Sequence, residues 1–298
     1  MARWFYTYID RWVAGAEGAT MTRRFSILAA ITLGCAGAAI AQPADDAAVN
    51  AFVESHTATT HLGRIARWDD PICPGIAGLP SGFSKFILQR IRTVAAAAGA
   101  RVDPEGCKAN ISIVFTTAPQ GLVDALRAKN PVMLGYYDNT EQADRLAKVN
   151  YSIQAWYVTK TVDLRGKWSI DSRDRHSSQN YDAQSSNGTR VGDGLSSAFH
   201  LVTVVADPNK LGAFEIGALA DNVAMLALSQ PGKLEECSAL PSIENLALTG
   251  CTEAAKLAAM SPNDTAFLFG LYHVKPGASL RGQKDAIAVS MKEKLAAK

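Results

Sequence analysis

The chain has 298 residues, of which 48% are hydrophobic and 19% are charged, as is typical of a globular protein rather than a disordered one. Its formal net charge is +2, and the residues after Ala41 carry 26 basic and 26 acidic side chains, because the first 41 hold four arginines and two acids. No run of lysine or arginine stands out. Nothing therefore indicates the concentrated basic surface that nucleic-acid binding needs.

The segment Met21–Ala41 has the pattern of a secretory signal peptide. Arg23 and Arg24 supply a positive start, Phe25–Ile40 an apolar stretch, and Ala39–Ala41 a cleavage site of small residues. We expect the folded protein to begin at about residue 42 and to work in the periplasm or outside the cell.

Twenty residues precede this segment, and their five aromatic side chains do not fit a usual signal-peptide start. We expect a start codon assigned too early, with an extended N-terminus as the alternative. The apolar stretch is roughly 16 residues, shorter than the ~20 of a membrane-spanning helix, so we predict no transmembrane anchor. Cys35 raises lipid attachment as an alternative, although the order Thr32-Leu33-Gly34 differs from a lipid-attachment box.

Four cysteines remain after the signal segment, namely Cys73, Cys107, Cys237 and Cys251. In an exported chain they favour two disulfides, for which three pairings are possible. The most local pairing joins the first to the second and the third to the fourth, and we favour it. The rival is a zinc site, but the close-set pairs that such a site needs are missing.

Apolar patterns predict helices and strands that alternate along the chain. The helices are expected at residues 45–55, 83–98, 120–129, 214–230, 263–271 and from 279 onward, and the strands at 110–117, 153–162 and 200–207. We therefore expect an α/β (α+β) fold, a small mixed sheet with packed helices in a single domain over residues 42–298. Residues 173–197, rich in Ser, Asn, Asp and Gly, predict a long exposed loop, more simply a solvated insertion than a binding loop.

Five apolar residues of the second predicted helix recur at helical spacing and predict one buried face. They are Phe83, Phe86, Ile87, Ile91 and Val94.

No motif of nucleophilic catalysis is present, and no two histidines have the i, i+4 spacing of a helical zinc site. His56 and His61 are expected at the surface, and His200 is expected to be structural. Asp69 and Asp70 precede a proline and are expected to cap or solvate a turn.

The segment Ser261–Tyr272 reads Ser-Pro-Asn-Asp-x-x-x-Leu-x-x-Leu-Tyr. It resembles the helix that closes many zincin metalloproteases, the matrixin-like ones especially, with Met260 where those proteins have the first leucine. Upstream, Ala220–Leu228 resembles the zincin active-site helix, His-Glu-x-x-His, and it follows a predicted strand as it would in a zincin.

This resemblance implies a zincin-like scaffold over roughly residues 200–295 without the zincin chemistry. Ala220 and Ala224 stand at the positions of two zinc-binding histidines, Asp221 at that of the general-base glutamate, and Gln230 at that of a third ligand. An alanine side chain cannot coordinate Zn²⁺, and without a metal no water is activated at neutral pH. We expect a degenerate zincin with no cofactor; the alternative is an ordinary buried helix.

Three segments also resemble a group of exported bacterial proteins of unknown function. They are Trp68–Pro80, Cys107–Asn110 and Ala220–Met225. The resemblance implies no activity. It supports Cys73 and Cys107 as disulfide partners, because these two cysteines mark the first two segments.

Three functions remain open. We favour an exported, metal-free, non-catalytic binding or scaffold protein, a pseudoenzyme whose partner is an unidentified protein or another part of the cell envelope. The second hypothesis is a secreted hydrolase whose catalytic residues come from Asp69, Asp70, His200 and Asp221. The third is a structural partner in envelope assembly, which would expose an apolar patch.

Overall fold

The computed structural model describes residues 45–172, 194–212, 214–232 and 236–297. The predictions for residues 1–20 and 21–41 lie outside these ranges, as do Cys35 and residues 173–193 of the predicted loop. Within the described ranges, none of the helices combines the length and apolar character of a membrane span.

Seven α-helices and a sheet of five strands lie within the described residues, which confirms the mixed α/β fold. In chain order they are α1 (Asp46–Ser55), β1 (Pro74–Ala77), α2 (Ser81–Ala98), β2 (Ile111–Phe115), α3 (Pro119–Lys129), α4 (Thr140–Leu146), β3 (Ile153–Asp163), β4 (Trp168–Ile170), β5 (Leu195–Ala206), α5 (Ile216–Leu228), α6 (Pro262–His273) and α7 (Leu280–Ala296). Short 3₁₀ helices occupy Pro131–Leu134, Pro208–Lys210, Ile243–Ala247 and Glu253–Ala255.

Local sequence explains where several helices begin and end. Helix α6 starts at a capping box in which Ser261 and Asp264 each bond the other's backbone N–H, with Pro262 in the first turn. Helix α2 ends at Gly99, whose φ of +97° is the left-handed conformation that glycine adopts most easily.

The strands are ordered β1-β2-β5-β3-β4 across the sheet. The pairs β1–β2 and β2–β5 are parallel, whereas β3 runs antiparallel to both β5 and β4. Strand β5 begins at Leu195, so the prediction that residues 195–197 belong to a loop was wrong. Backbone pairing with the end of β3 makes these residues part of the strand, although two of the three are serines.

Helices cover both faces of the sheet. The larger hydrophobic core lies among α1, α2, α5, α6, α7 and one face, with Phe52, Ile87, Val202 and Phe267 at or near zero exposure. A smaller core forms on the other face, where α3 and the 3₁₀ helix after it pack on Trp156.

Two disulfides fasten the loops of this framework, in the most local pairing. Cys73 pairs with Cys107 at a Cα–Cα distance of 5.9 Å, and Cys237 with Cys251 at 5.5 Å. The first bond ties the segment entering β1 to the segment entering β2.

The prediction for the buried face of α2 was partly wrong. Ile87, Ile91 and Val94 are buried as expected, but Phe83 is 50% exposed and Phe86 46% exposed. The buried positions of α2 begin only at Ile87, because the first turn of the helix extends past the core.

Helix α5 is buried from Ala218 to Leu228, so its C-terminal carbonyl groups cannot rely on water. Each of the last four accepts a hydrogen bond from a nearby side chain. The donors are the hydroxyl of Ser229 to Met225 (2.8 Å), Tyr157 to Leu226 (2.9 Å), the indole of Trp68 to Ala227 (2.8 Å) and Tyr272 to Leu228 (2.9 Å).

Replacing Tyr272 by phenylalanine would leave the Leu228 carbonyl buried without its side-chain donor. We expect Tyr272→Phe to lower the free energy of unfolding by about 1–3 kcal/mol, measured by urea denaturation. The control Tyr151→Phe, at a half-exposed tyrosine, is expected to change it by less than about 0.5 kcal/mol. Equal stability of Tyr272→Phe and the wild type would contradict this role.

Candidate functional site

The helix that resembles a zincin active-site helix, α5, is held by an ion pair between buried Asp221 and the partly exposed Arg90. Ala220 and Ala224 are fully buried in the core. The Asp221 carboxylate accepts from the Nε and Nη2 of Arg90 on α2, the latter at 3.0 Å, and from the Met260 N–H at 2.7 Å. The hydrogen bonds that Arg90 donates to Asp221 raise the pKa of Arg90 above its ordinary value. Asp221 therefore joins α5 to α2 and to the start of α6.

Gln230, at the position of a third ligand, lies outside this arrangement. Helix α5 ends at Leu228, so helical spacing does not continue to residue 230. The backbone carbonyl oxygen of Gln230 accepts a hydrogen bond from the Ala58 N–H at 2.8 Å, which ties this segment to the chain after α1.

The hydrolase candidates Asp69 and Asp70 meet at a buried lysine. The Lys160 ammonium lies 3.0 Å from Asp69 Oδ1 and 2.7 Å from Asp70 Oδ2, and only 3% of its side chain is exposed. It also lies 5.5 Å from the centre of the Trp168 ring. The two carboxylates are 41% and 57% exposed, so the lysine is covered while its partners face solvent.

His200 lies beside this lysine because of an irregularity in the sheet. Val158 pairs with Leu201 and Thr159 with Phe199, which leaves His200 as the extra residue of a β-bulge. Its ring lies 5.2 Å from that of Trp168. Burial lowers the pKa of His200, and the nearby Lys160 ammonium lowers it further, so the neutral imidazole is favoured.

We call Asp69, Asp70, Lys160, Trp168 and His200 the Lys160 cluster. It brings together three of the four hydrolase candidates, whereas Asp221 is bound to Arg90 and Met260 instead. Both carboxylates already direct an oxygen at the ammonium group. Sequence analysis expected them to cap or solvate a turn and did not indicate that both bind Lys160.

A second polar group lies in the core, and His56 belongs to it. His56 is 2% exposed, so the prediction that it lies at the surface was wrong. Its Nε2 lies 3.1 Å from Ser242 Oγ and 3.2 Å from Glu244 Oε2. Ser242 in turn donates to Asp264 Oδ1 at 2.6 Å. We call these four residues the buried polar cluster.

The proton positions follow from the partners. His56 Nδ1 lies 2.8 Å from the Phe52 carbonyl oxygen, which can only accept, so Nδ1 carries a proton. Burial lowers the pKa of His56 to about 4 and raises that of Glu244 well above its ordinary value. His56 is therefore neutral near pH 7, and burial favours the protonated form of Glu244.

The buried polar cluster contains the residue types of a serine hydrolase but not their arrangement. The Ser242 hydroxyl donates to Asp264 rather than to His56, and Ser242 is fully buried. Asp264 also accepts from the backbone of Ile243 and Ser261. The cluster fastens the end of α1 to the start of α6. Sequence reasoning missed Ser242 and Glu244, since no local pattern marks them.

No protein-family model, curated protein or solved structure matches this chain. Within the described ranges, no three or more His, Cys, Asp or Glu side chains are grouped closely enough to hold a metal ion. The two clusters and the Arg90–Asp221 pair are thus interpreted from their own geometry.

Replacing Asp221 by asparagine would leave the Arg90 guanidinium without its anion. We expect Asp221→Asn to cost about 1–3 kcal/mol of unfolding free energy by urea denaturation, because it removes a buried charged acceptor while water still reaches part of the Arg90 side chain. The control is Asp144→Asn, which breaks the more exposed pair with Arg127 and should cost less than about 0.5 kcal/mol. A loss of unfolding free energy in Asp221→Asn as small as that in the control would refute the structural role of Asp221.

The raised pKa of Glu244 predicts a stability that falls as pH rises. Above the ordinary pKa of glutamate, 4.5, the unfolded chain loses a proton that folded Glu244 keeps. His56 acts in the opposite direction between about pH 4 and 6.5, since the unfolded chain then binds a proton that folded His56 does not. The Glu244 contribution lasts until the pH reaches the raised pKa of the folded group.

We therefore expect Glu244 to add a downward slope of at most about 1.4 kcal/mol per pH unit to wild-type stability, from pH 4.5 up to its raised folded pKa. Glu244→Gln keeps the shape of the side chain and a donor toward His56 but cannot titrate. Urea unfolding of both proteins from pH 5 to 8.5 should show wild-type stability falling relative to that of the variant as pH rises; a constant difference would show that Glu244 does not titrate differently on folding.

Proposed function

We propose that this chain is an exported binding or scaffold protein without catalytic activity of its own, acting in the periplasm or outside the cell. The signal-peptide pattern of Met21–Ala41 and the two disulfides support export. A degenerate zincin-like scaffold for the last third of the chain remains part of this proposal.

The observation that carries the proposal is the Arg90–Asp221 pair. On an active zincin-like helix this position would hold a general base facing a metal-bound water. Here the carboxylate is buried and bonded to a guanidinium and a backbone N–H, while Ala220 and Ala224 fill the core. All of these contacts join elements of the fold to one another.

A secreted hydrolase is the second candidate, and the Lys160 cluster favours it. The cluster places a neutral imidazole near two solvent-facing carboxylates, groups that can move protons. It lacks a serine or cysteine nucleophile among the residues that define it. We rank this candidate below binding because both carboxylates are engaged by Lys160.

Elemental mass spectrometry and an activity screen test the ranking. We expect the exported, processed protein to hold less than about 0.1 metal ion per chain, since alanine side chains cannot ligate zinc. We also expect no cleavage of peptide or glycoside substrates. One zinc per chain with peptidase activity would overturn the proposal. Hydrolysis that is lost in His200→Ala but kept in the surface variant Arg127→Ala would establish the second candidate.

A further inference from the structure

The two disulfides differ in the groups that contact their sulfur atoms. Arg92 Nη2 donates a hydrogen bond to Cys107 Sγ at 3.5 Å. Within the part of the chain that the structure describes, no donor of this kind contacts the Sγ of Cys237 or Cys251. A guanidinium next to a cysteine stabilises the thiolate, which forms only when the disulfide is reduced. Arg92 therefore stabilises the reduced form of the Cys73–Cys107 pair.

The guanidinium of Arg92 is held in position beside the sulfur. Arg92 lies on α2, and its Nη1 donates to the Asp103 carbonyl oxygen while its Nη2 donates to Cys107. Among the described residues Arg92 forms no ion pair with a carboxylate, in contrast to Arg90, which pairs with Asp221. A Cys107 thiolate would supply the anion that Arg92 lacks.

The two sulfur atoms of this pair differ in their access to solvent. Cys107 is partly exposed and follows a turn at Gly106, where a Cβ atom would meet nothing within 4 Å. Cys73 is only 2% exposed. An external thiolate therefore reaches Cys107 Sγ and not Cys73 Sγ.

Hydrogen bonds hold the segment around Cys73 independently of the disulfide. The Cys73 N–H donates to Asn110 Oδ1 at 2.7 Å, and the Cys73 carbonyl oxygen accepts from the Asn110 N–H at 3.0 Å. Asn110 Nδ2 also donates to the Pro71 carbonyl oxygen at 3.0 Å. These bonds join the same two segments as the disulfide, at the start of the β1–β2 pairing. Reduction would therefore leave the strands paired and the two cysteines close enough to be oxidised again.

We propose that Cys73–Cys107 is an exchangeable disulfide, opened and closed by an exported protein that carries a reactive dithiol, whereas Cys237–Cys251 stays oxidised. Cys107 is the sulfur that exchanges, and Arg92 favours its thiolate. The inference goes beyond the proposed binding function and does not rest on it.

Reduction takes two steps of thiol–disulfide exchange. A thiolate of the partner attacks Cys107 Sγ and forms a mixed disulfide, while the bond to Cys73 breaks and the Cys73 sulfur leaves with the electron pair and takes up a proton. The second thiol of the partner loses its proton and attacks the partner's own sulfur in the mixed disulfide. Cys107 then leaves as a thiolate beside Arg92. The partner dithiol is oxidised to a disulfide, and the cysteine pair gains two electrons.

Redox titration with dithiothreitol tests the proposal. The exported protein, with both disulfides formed, is equilibrated near neutral pH with mixtures of reduced and oxidised dithiothreitol and quenched with acid. Alkylation and peptide mass spectrometry then give the reduced fraction of each disulfide. We expect half reduction of Cys73–Cys107 at a ratio of reduced to oxidised dithiothreitol at least about tenfold lower than for Cys237–Cys251.

Variants of Arg92 separate the effect of its charge from that of the bond it makes to the backbone. Arg92→Met should raise the ratio needed for Cys73–Cys107 about tenfold, and Arg92→Lys, which keeps the charge, should restore most of the difference. The matched control is Arg101→Met. Arg101 also donates to a backbone carbonyl group, that of Asp69, but none of its hydrogen bonds among the described residues reaches a sulfur atom, so its loss should leave the ratio unchanged.

The pH dependence of alkylation gives a second readout, which a merely structural Arg92 would not change. After reduction of Cys73–Cys107, the rate of Cys107 alkylation by iodoacetamide is measured against pH. We expect its midpoint at least about one pH unit below the value of about 8.5 for an ordinary cysteine, and a return toward that value in Arg92→Met. Circular dichroism should show that the reduced protein stays folded.

Four results would overturn the proposal. The first is half reduction of both disulfides at the same ratio, or of Cys237–Cys251 first. The second is an equal shift in Arg92→Met and Arg101→Met. The third is a wild-type Cys107 midpoint near 8.5, a measurement that needs no variant to fold. The fourth is loss of the folded circular dichroism spectrum when Cys73–Cys107 alone is reduced.

Discussion

The fold depends on satisfying the C-terminal end of a helix that has no access to water. Helix α5 is buried along most of its length, and an unpaired buried carbonyl group costs about 1–3 kcal/mol. Three aromatic donors come from distant parts of the chain: Trp68 before β1, Tyr157 on β3 and Tyr272 on α6. Their positions fix how the sheet, α5 and α6 meet. Trp68 and Tyr272 also lie in segments on which the two sequence resemblances are based. In the structure, both donate hydrogen bonds to the C-terminal carbonyl groups of α5.

The elements that sequence predicted well carry a clear apolar pattern, such as α2, β2 and β3. Strands β1 and β4 were missed because they have four and three residues, and β1 begins with Pro74 and Gly75. They are strands because a neighbouring strand pairs with them, which no local pattern shows. The exposure of Phe83 was missed for a related reason: periodicity defines a face of a helix, but not where the core beneath it ends.

The candidate sites were less predictable, because each joins residues far apart in sequence. Asp69 and Asp70 were candidates, but Lys160 is about ninety positions away and carries no motif. His56 was predicted to lie at the surface, because its neighbours in sequence are polar and do not indicate that it contacts Ser242 in the core. The sequence placed Asp221 on a helix correctly, but it did not indicate the partner Arg90, which lies on a different helix. Charge pairing across elements is a property of the fold, which local spacing does not contain.

The position of β5 determines when the sheet can be completed. It is the last of the five described strands in chain order, yet it lies between β2 and β3, with Ile111 paired to Val202 and Ile153 to Ala206. Proteins rich in such distant pairings fold slowly. A nascent chain that lacks β5 has two separate strand pairs, β1–β2 and β3–β4, each with an open edge on the side that β5 will occupy. Open strand edges promote aggregation by pairing with other chains. A chain truncated before β5 would therefore present two such edges, on β2 and on β3, and the addition of β5 would close both.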